Sequence, residues 1–79
     1  MEKIEVTTRF TRDDRLIPLE FVVGDENYPV LNIGRQWETK DGRHFLVMDF
    51  SERTHHLFFQ LLDLNWYLVR DIKSPPHRT

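Results

Sequence analysis

Four histidines, His44, His55, His56 and His77, are the side chains of this 79-residue chain best suited to hold a metal or carry a proton near neutral pH. His55 and His56 are adjacent, and on a strand adjacent side chains point to opposite faces, so the two imidazoles cannot easily close on one ion. The chain has no cysteine and no HExxH pattern, which removes the usual zinc ligand sets. His44 reads as a surface strand residue and His77 as part of a tail. No metal and no cofactor is expected.

Acid, base and nucleophile patterns are equally thin. Asp13 and Asp14 sit in "TRDDR" between two apolar runs, where short carboxylates hydrogen-bond the backbone of a turn rather than form a catalytic dyad. Ser51 and Ser74 lie in polar connections without the strained elbow a serine nucleophile needs. Gly24, Gly34 and Gly42 are scattered and build no phosphate-cradling loop. A small barrel also has little room for a deep pocket. The chain reads as a non-enzyme.

Binding is the chemistry that remains. Tyr28, Trp37, Trp66 and Tyr67 are candidates for base stacking, with Arg35, Lys40, Arg43 and Arg70 to meet phosphates, the combination by which small barrels hold single-stranded nucleic acid. Against it, 11 basic residues face 13 acidic ones, the isoelectric point is near 6.0, and Arg9, Arg12 and Arg15 are interleaved with Asp13 and Asp14. The same aromatics are also what so short a chain needs for a core. The alternative is apolar association, suggested by "HHLFFQLLDLNWYLVRDI" at residues 55–72. Together these readings mark Tyr28, Arg35, Trp37, Arg43, Phe58, Tyr67 and Arg70 as the candidate binding set.

The elements that must position these residues have a period of two, with turn signals about every eight to twelve residues. Six strands are expected. In "KIEVTTRF", Ile4, Val6, Thr8 and Phe10 alternate with polar residues. In "IPLEFVV", Ile17, Leu19, Phe21 and Val23 share one side, and Pro18 suits an entry or edge position. "GDEN" is a hairpin loop. "YPVLNIGRQWE" is long, with Gly34 marking a bulge or bend. "DG" at residues 41–42 is the strongest hairpin signal, and "HFLVMDF" follows it. The last two strands are "LFFQLL" and "WYLVRDI", joined by "DLN".

Residues 51–64 also fit a helical stripe through Leu57, Phe58, Leu61 and Leu62, with Ser51 as its N-cap, but the aromatics and the short loop favour a strand. As strands, Leu57, Phe59 and Leu61 form one apolar face and His56, Phe58, Gln60 and Leu62 a mixed one. Trp66 and Leu68 share a face with Arg70, while Tyr67 and Val69 share the other with Asp71. The surplus apolar area needs cover, from the curl of the barrel, from the tail, or from a partner or second copy. The reading is one domain over residues 1–73 with a flexible tail, "SPPHRT", at 74–79. No secretory leader or membrane span is visible, and the lack of cysteine points to a reducing, cytoplasmic setting.

"PLEFVVGDENYPVLNIGRQW", "GRHFLVM" and "FFQLLDLNWYLVRD" together resemble a family of small uncharacterised bacterial β-barrel domains. The resemblance covers about residues 4–72 and rests on Phe21, Tyr28, Val30, Trp37, Trp66, Leu68 and Arg70. Some relatives lie near DNA-repair polymerase genes, which implies a nucleic-acid setting without an activity. "VVGDEN" is acidic where relatives often carry basic hairpin residues. The expectation is therefore an all-β, six-stranded antiparallel meander forming a small SH3-like barrel. It would act as a non-catalytic protein-binding module or homodimer, through the last hairpin or the edge of the second strand, with single-stranded nucleic-acid binding as the alternative.

Overall fold

A computed structural model of the chain describes residues 1–70, so the expected tail at 74–79 lies outside the described residues. Six strands follow one another: β1 (Glu2–Phe10), β2 (Leu16–Val23), β3 (Glu26–Thr39), β4 (Gly42–Asp49), β5 (Thr54–Gln60) and β6 (Asn65–Val69). Each pairs antiparallel with the next, and β6 returns to pair with β1 through Ile4↔Trp66 and Glu2↔Leu68. The result is a closed six-stranded meander, a small SH3-like barrel. Closure leaves no long free sheet edge around β4, β5 and β6.

Alternation explains the core. Ile4, Phe45, Val47, Leu57, Trp66 and Leu68 come from strands whose every second residue is apolar, and with Phe21 they form the buried cluster. The Trp66 ring lies 5.5 Å from Phe45 and 5.1 Å from Phe59. Each such side chain contributes about 1.5 to 3 kcal/mol by leaving water, which a chain this short depends on. Residues 54–60 are a strand paired on both sides, with β4 and with β6, so the helical pattern over 51–64 is not used.

Two strands depart from simple alternation. In β2 the register passes from Thr7↔Glu20 to Thr8↔Pro18, so Leu19 is an extra residue and the side-chain phase flips. Phe21 and Val23 face the core as expected, but Leu16 and Pro18 take the inward places instead of Ile17 and Leu19, and Leu19 is exposed. Pro18 lies beyond the β2–β3 pairing, which covers only Glu20–Val23 and Glu26–Pro29, so its missing N–H breaks no bond on that side. In β3 the register skips between Ile33 and Gln36, placing the expected bulge at Gly34.

The turns set the remaining geometry. Gly24 has φ 61 at the first position of the β2–β3 loop, a conformation that favours glycine there. Asp13 accepts the Thr11 hydroxyl and Asp14 has φ 64, so both carboxylates belong to the β1–β2 turn. β5 stops at Gln60, earlier than expected. The Leu64 N–H bonds the Gln60 carbonyl and Asp63 accepts the Asn65 N–H, so Leu61 and Leu62 lie in the turn rather than on strand faces.

Candidate functional site

The β4–β5 hairpin carries a ring cluster on each of its faces. On the outward face, register aligns Trp37 with His44, His44 with Phe58, and Phe58 with Tyr67, one row across four strands. Trp37 and His44 stack at 5.0 Å and 3°, and His44 and Phe58 at 4.5 Å and 25°. The Arg35 guanidinium stands 5.1 Å over the Trp37 ring, within cation–π reach. Phe58, though outward, is only 4% exposed because its neighbours cover it.

Gly42 makes the row fit. A Cβ there would lie 2.0 Å from the Phe59 carbonyl oxygen and 2.9 Å from a Phe58 ring carbon. His44 is fixed at both nitrogens: Nε2 is 3.3 Å from the Thr39 hydroxyl and Nδ1 is 2.9 Å from His56 Nε2. Burial pushes the His44 imidazole below its usual range, with the Asp41 charge pulling the other way. The His56 ring also sits 5.3 Å from Trp37.

Two of the candidate cations alternate away from this row and are engaged in ion pairs. Arg43 Nε is 3.1 Å from Glu38, and Arg70 Nη2 is 2.8 Å from Glu2. Tyr67 donates its hydroxyl to Asp63 at 2.5 Å. That bond holds the Asp63 carboxyl below the usual range and pushes the Tyr67 hydroxyl above its own.

On the inward face, Asp49 is 5% exposed and fully used. Its Oδ1 accepts the Ser51 and Arg53 N–H groups and its Oδ2 lies 2.8 Å from His55 Nε2. The His55 contact is the chief reason this carboxyl sits below its ordinary value, aided by the Arg53 and Ser51 donors against the effect of burial. The His55 ring meets Phe21 edge-on at 5.0 Å and Tyr28 at 5.4 Å, and Phe21 stacks on Tyr28 at 5.1 Å. With both carboxylate oxygens tied to this turn, the pair closes the β4–β5 hairpin end. That is a structural role.

A third feature is apolar. At the β5–β6 turn Leu61, Leu62 and Leu64 are 52%, 89% and 66% exposed, and Met1 is 70% exposed. Met1, Leu61 and Leu62 share an open groove of about 580 Å³ with Phe58, Lys40 and Asp41.

Of the candidate set, Arg35, Trp37, Phe58 and Tyr67 share the outward face, Arg43 and Arg70 are engaged in ion pairs, and Tyr28 packs with Phe21 and His55 instead. Alternation correctly separates His55 from His56. The His44–His56 meeting was missed because it needs the β4–β5 register, and the Asp49–His55 pair because it needs the turn between them. Among the described residues no group of three or more His, Cys, Asp or Glu converges as a metal site, and no helix is long and apolar enough to cross a membrane. Comparison with protein-family models, curated proteins and solved structures finds no match.

Proposed function

We propose that this chain is a non-catalytic interaction module that binds a protein surface through the apolar tip of its β5–β6 hairpin, with a second copy of itself as the first partner to test. One observation carries this reading: Leu61, Leu62, Leu64 and Met1 are each more than half exposed, three of them within one four-residue turn. Single exposed apolar residues are ordinary, whereas a cluster beside a groove marks an interaction surface. Lys40 and Asp41 on the groove's rim add polar contacts of both signs. The absence of cysteine supports a cytoplasmic setting for such a module.

The solution mass across a dilution series, at low and high salt, tests it. A dimer that persists at high salt and is lost in Leu62→Asp is the expected result, because apolar contacts are not screened. A monomer at every concentration, together with equal binding of an apolar fluorescent probe by the parent and Leu62→Asp chains, overturns it. The second reading, single-stranded nucleic acid in a DNA-repair setting, is favoured by Arg35 over Trp37. The carboxylates on Arg43 and Arg70 weigh against it. Oligonucleotide binding that falls steeply with salt and disappears in Arg35→Ala would restore it.

A further inference from the structure

β2 and β3 part soon after their turn. Their pairing ends at Glu20↔Pro29, although β2 begins at Leu16 and β3 continues to Thr39. Leu19 and Leu31, each the extra residue of a bulge, are exposed where the strands diverge. Beyond them lies an open groove of about 320 Å³, in which half-buried Leu16 and Ile33 present apolar surface from the margin of the core. From residue 31 to residue 39, β3 has a ladder partner on one side alone, β4, among the described residues. In a strand every second residue aims its N–H and C=O at one neighbour, so about half of these residues point their backbone groups into the seam.

We propose that this seam accepts a short extended segment of a partner protein, added as a strand to the free edge of β3, with apolar side chains toward the groove alternating with acidic ones outward. The unpaired backbone carries the choice of a polypeptide, because a strand supplies N–H and C=O groups at the repeat the edge requires. β3 offers the edge: it has no proline after Pro29, whereas the facing stretch of β2 contains Pro18. The bulges limit the occupant's length. The β3–β4 register is broken at Leu31 and again between Ile33 and Gln36, and then runs evenly from Gln36 to Thr39. Bulges hinder long edge-to-edge pairing, so a second copy of β3 would set bulge against bulge, while a short segment has only the even run to match.

Charge carries the choice of side chains. The Arg35 guanidinium lies over the Trp37 ring, and Arg15 bonds Thr11 through its backbone alone, so neither pairs with a carboxylate among the described residues. In the groove lining Glu38 is neutralised by Arg43, and Asp14 leaves one carboxylate against these two cations. Acidic side chains on the outward face of an added strand would meet Arg35, and one at the mouth of the groove would meet Arg15. Apolar side chains on the other face cover Leu16 and Ile33. This surface is separate from the β5–β6 tip and does not depend on the reading given to that tip.

A capped hexapeptide of alternating valine and glutamate is the probe, titrated at low salt into the ¹⁵N-labelled full chain. NMR shifts centred on residues 31–39 and the Trp37 indole are expected, with exchange of the seam-facing β3 amides slowed about tenfold or more. N-methylating the valines or the glutamates blocks one edge of the peptide at a time and keeps its charge, so at least one of these two peptides should bind about tenfold more weakly. Exchanging glutamate for lysine should weaken binding severalfold, and Arg15→Glu with Arg35→Glu should reverse that preference. Should the double variant misfold, the lysine peptide on the parent chain still tests charge. No binding at millimolar peptide, full affinity in both N-methylated peptides, or a preference of the parent chain for lysine overturns the proposal. Shifts centred on Leu61, Leu62 and Leu64 also overturn it and move the peptide to the β5–β6 tip. So does a β3 edge whose amides are already protected in the free chain, by a second copy where protection grows with concentration and by the chain's own residues where it does not.

Discussion

His55 and His56 are consecutive and have opposite surroundings. His55 turns inward, where a carboxylate at 2.8 Å and the Phe21 and Tyr28 rings hold it, and that carboxylate is itself tied to two turn N–H groups. His56 turns outward, where its ring lies beside those of Trp37 and His44. Strand parity alone separates them. The inward cluster is wired to the backbone, so it spends its polar chemistry on the fold. The outward cluster is joined by ring stacking, with side-chain contacts from Thr39 to His44 and from Tyr67 to Asp63 at its margins.

Core deletion tests the inward half most severely. Phe21 is fully buried, and Phe21→Ala should cost about 3 to 5 kcal/mol, enough to leave so small a domain largely unfolded at room temperature. Urea denaturation measures it. Gly42→Ala strikes the β4–β5 contact at the end of the outward row, because its new Cβ would lie 2.0 Å from the Phe59 carbonyl oxygen and backbone has to move. A loss of about 3 kcal/mol is expected, and a near-neutral result would mean that β4 and β5 can part there freely.

Phe58→Ala sharpens the comparison. Phe58 is almost as buried as Phe21 but lies on the outward face under His44. A surface cluster can close over the gap more easily than a core can, so a loss of about 2 kcal/mol is expected. A cost equal to that of Phe21→Ala would make the outward row a second core. Asp49 adds a pH-conditional effect. Its folded carboxyl sits below the ordinary 3.8, chiefly through His55, so the unfolded chain takes up the proton first. The stability it contributes is present above that ordinary value and is lost as pH falls through the lower folded one. Asp49→Asn should therefore flatten the acid limb of a melting-temperature profile and leave the alkaline limb alone.

Much of the barrel was legible from period-two alternation, because inward Phe45, Val47, Leu57, Trp66 and Leu68 all follow it. The phase of β2 was not. Leu19 looks like a core residue by spacing, and only the mismatch of Thr7–Thr8 against Pro18–Glu20 reveals that it is the extra one. The end of β5 was hidden for a related reason: Leu61 and Leu62 continue the apolar run, while the turn is dictated by the left-handed backbone at Leu64 and the Asp63 bond to Asn65. Apolar type marks a strand only where the residues are also paired. The outward row depended on cross-strand register, a relation between residues up to three strands apart that no local pattern encodes.

Arg35→Ala has the smallest expected effect and divides the two roles of the outward face most finely. Arg35 is exposed, and a surface guanidinium over an indole contributes about 0.5 to 1 kcal/mol at most. If Arg35 helps to hold Trp37 in the row, its loss should lower the melting temperature slightly and redden the Trp37 fluorescence as the ring gains water. If the row is held by its own stacking on His44, at 5.0 Å and nearly parallel, stability and emission should stay unchanged. The stacking geometry favours the second outcome, in which His44 holds the Trp37 ring without help from the guanidinium and Arg35 is available to a ligand.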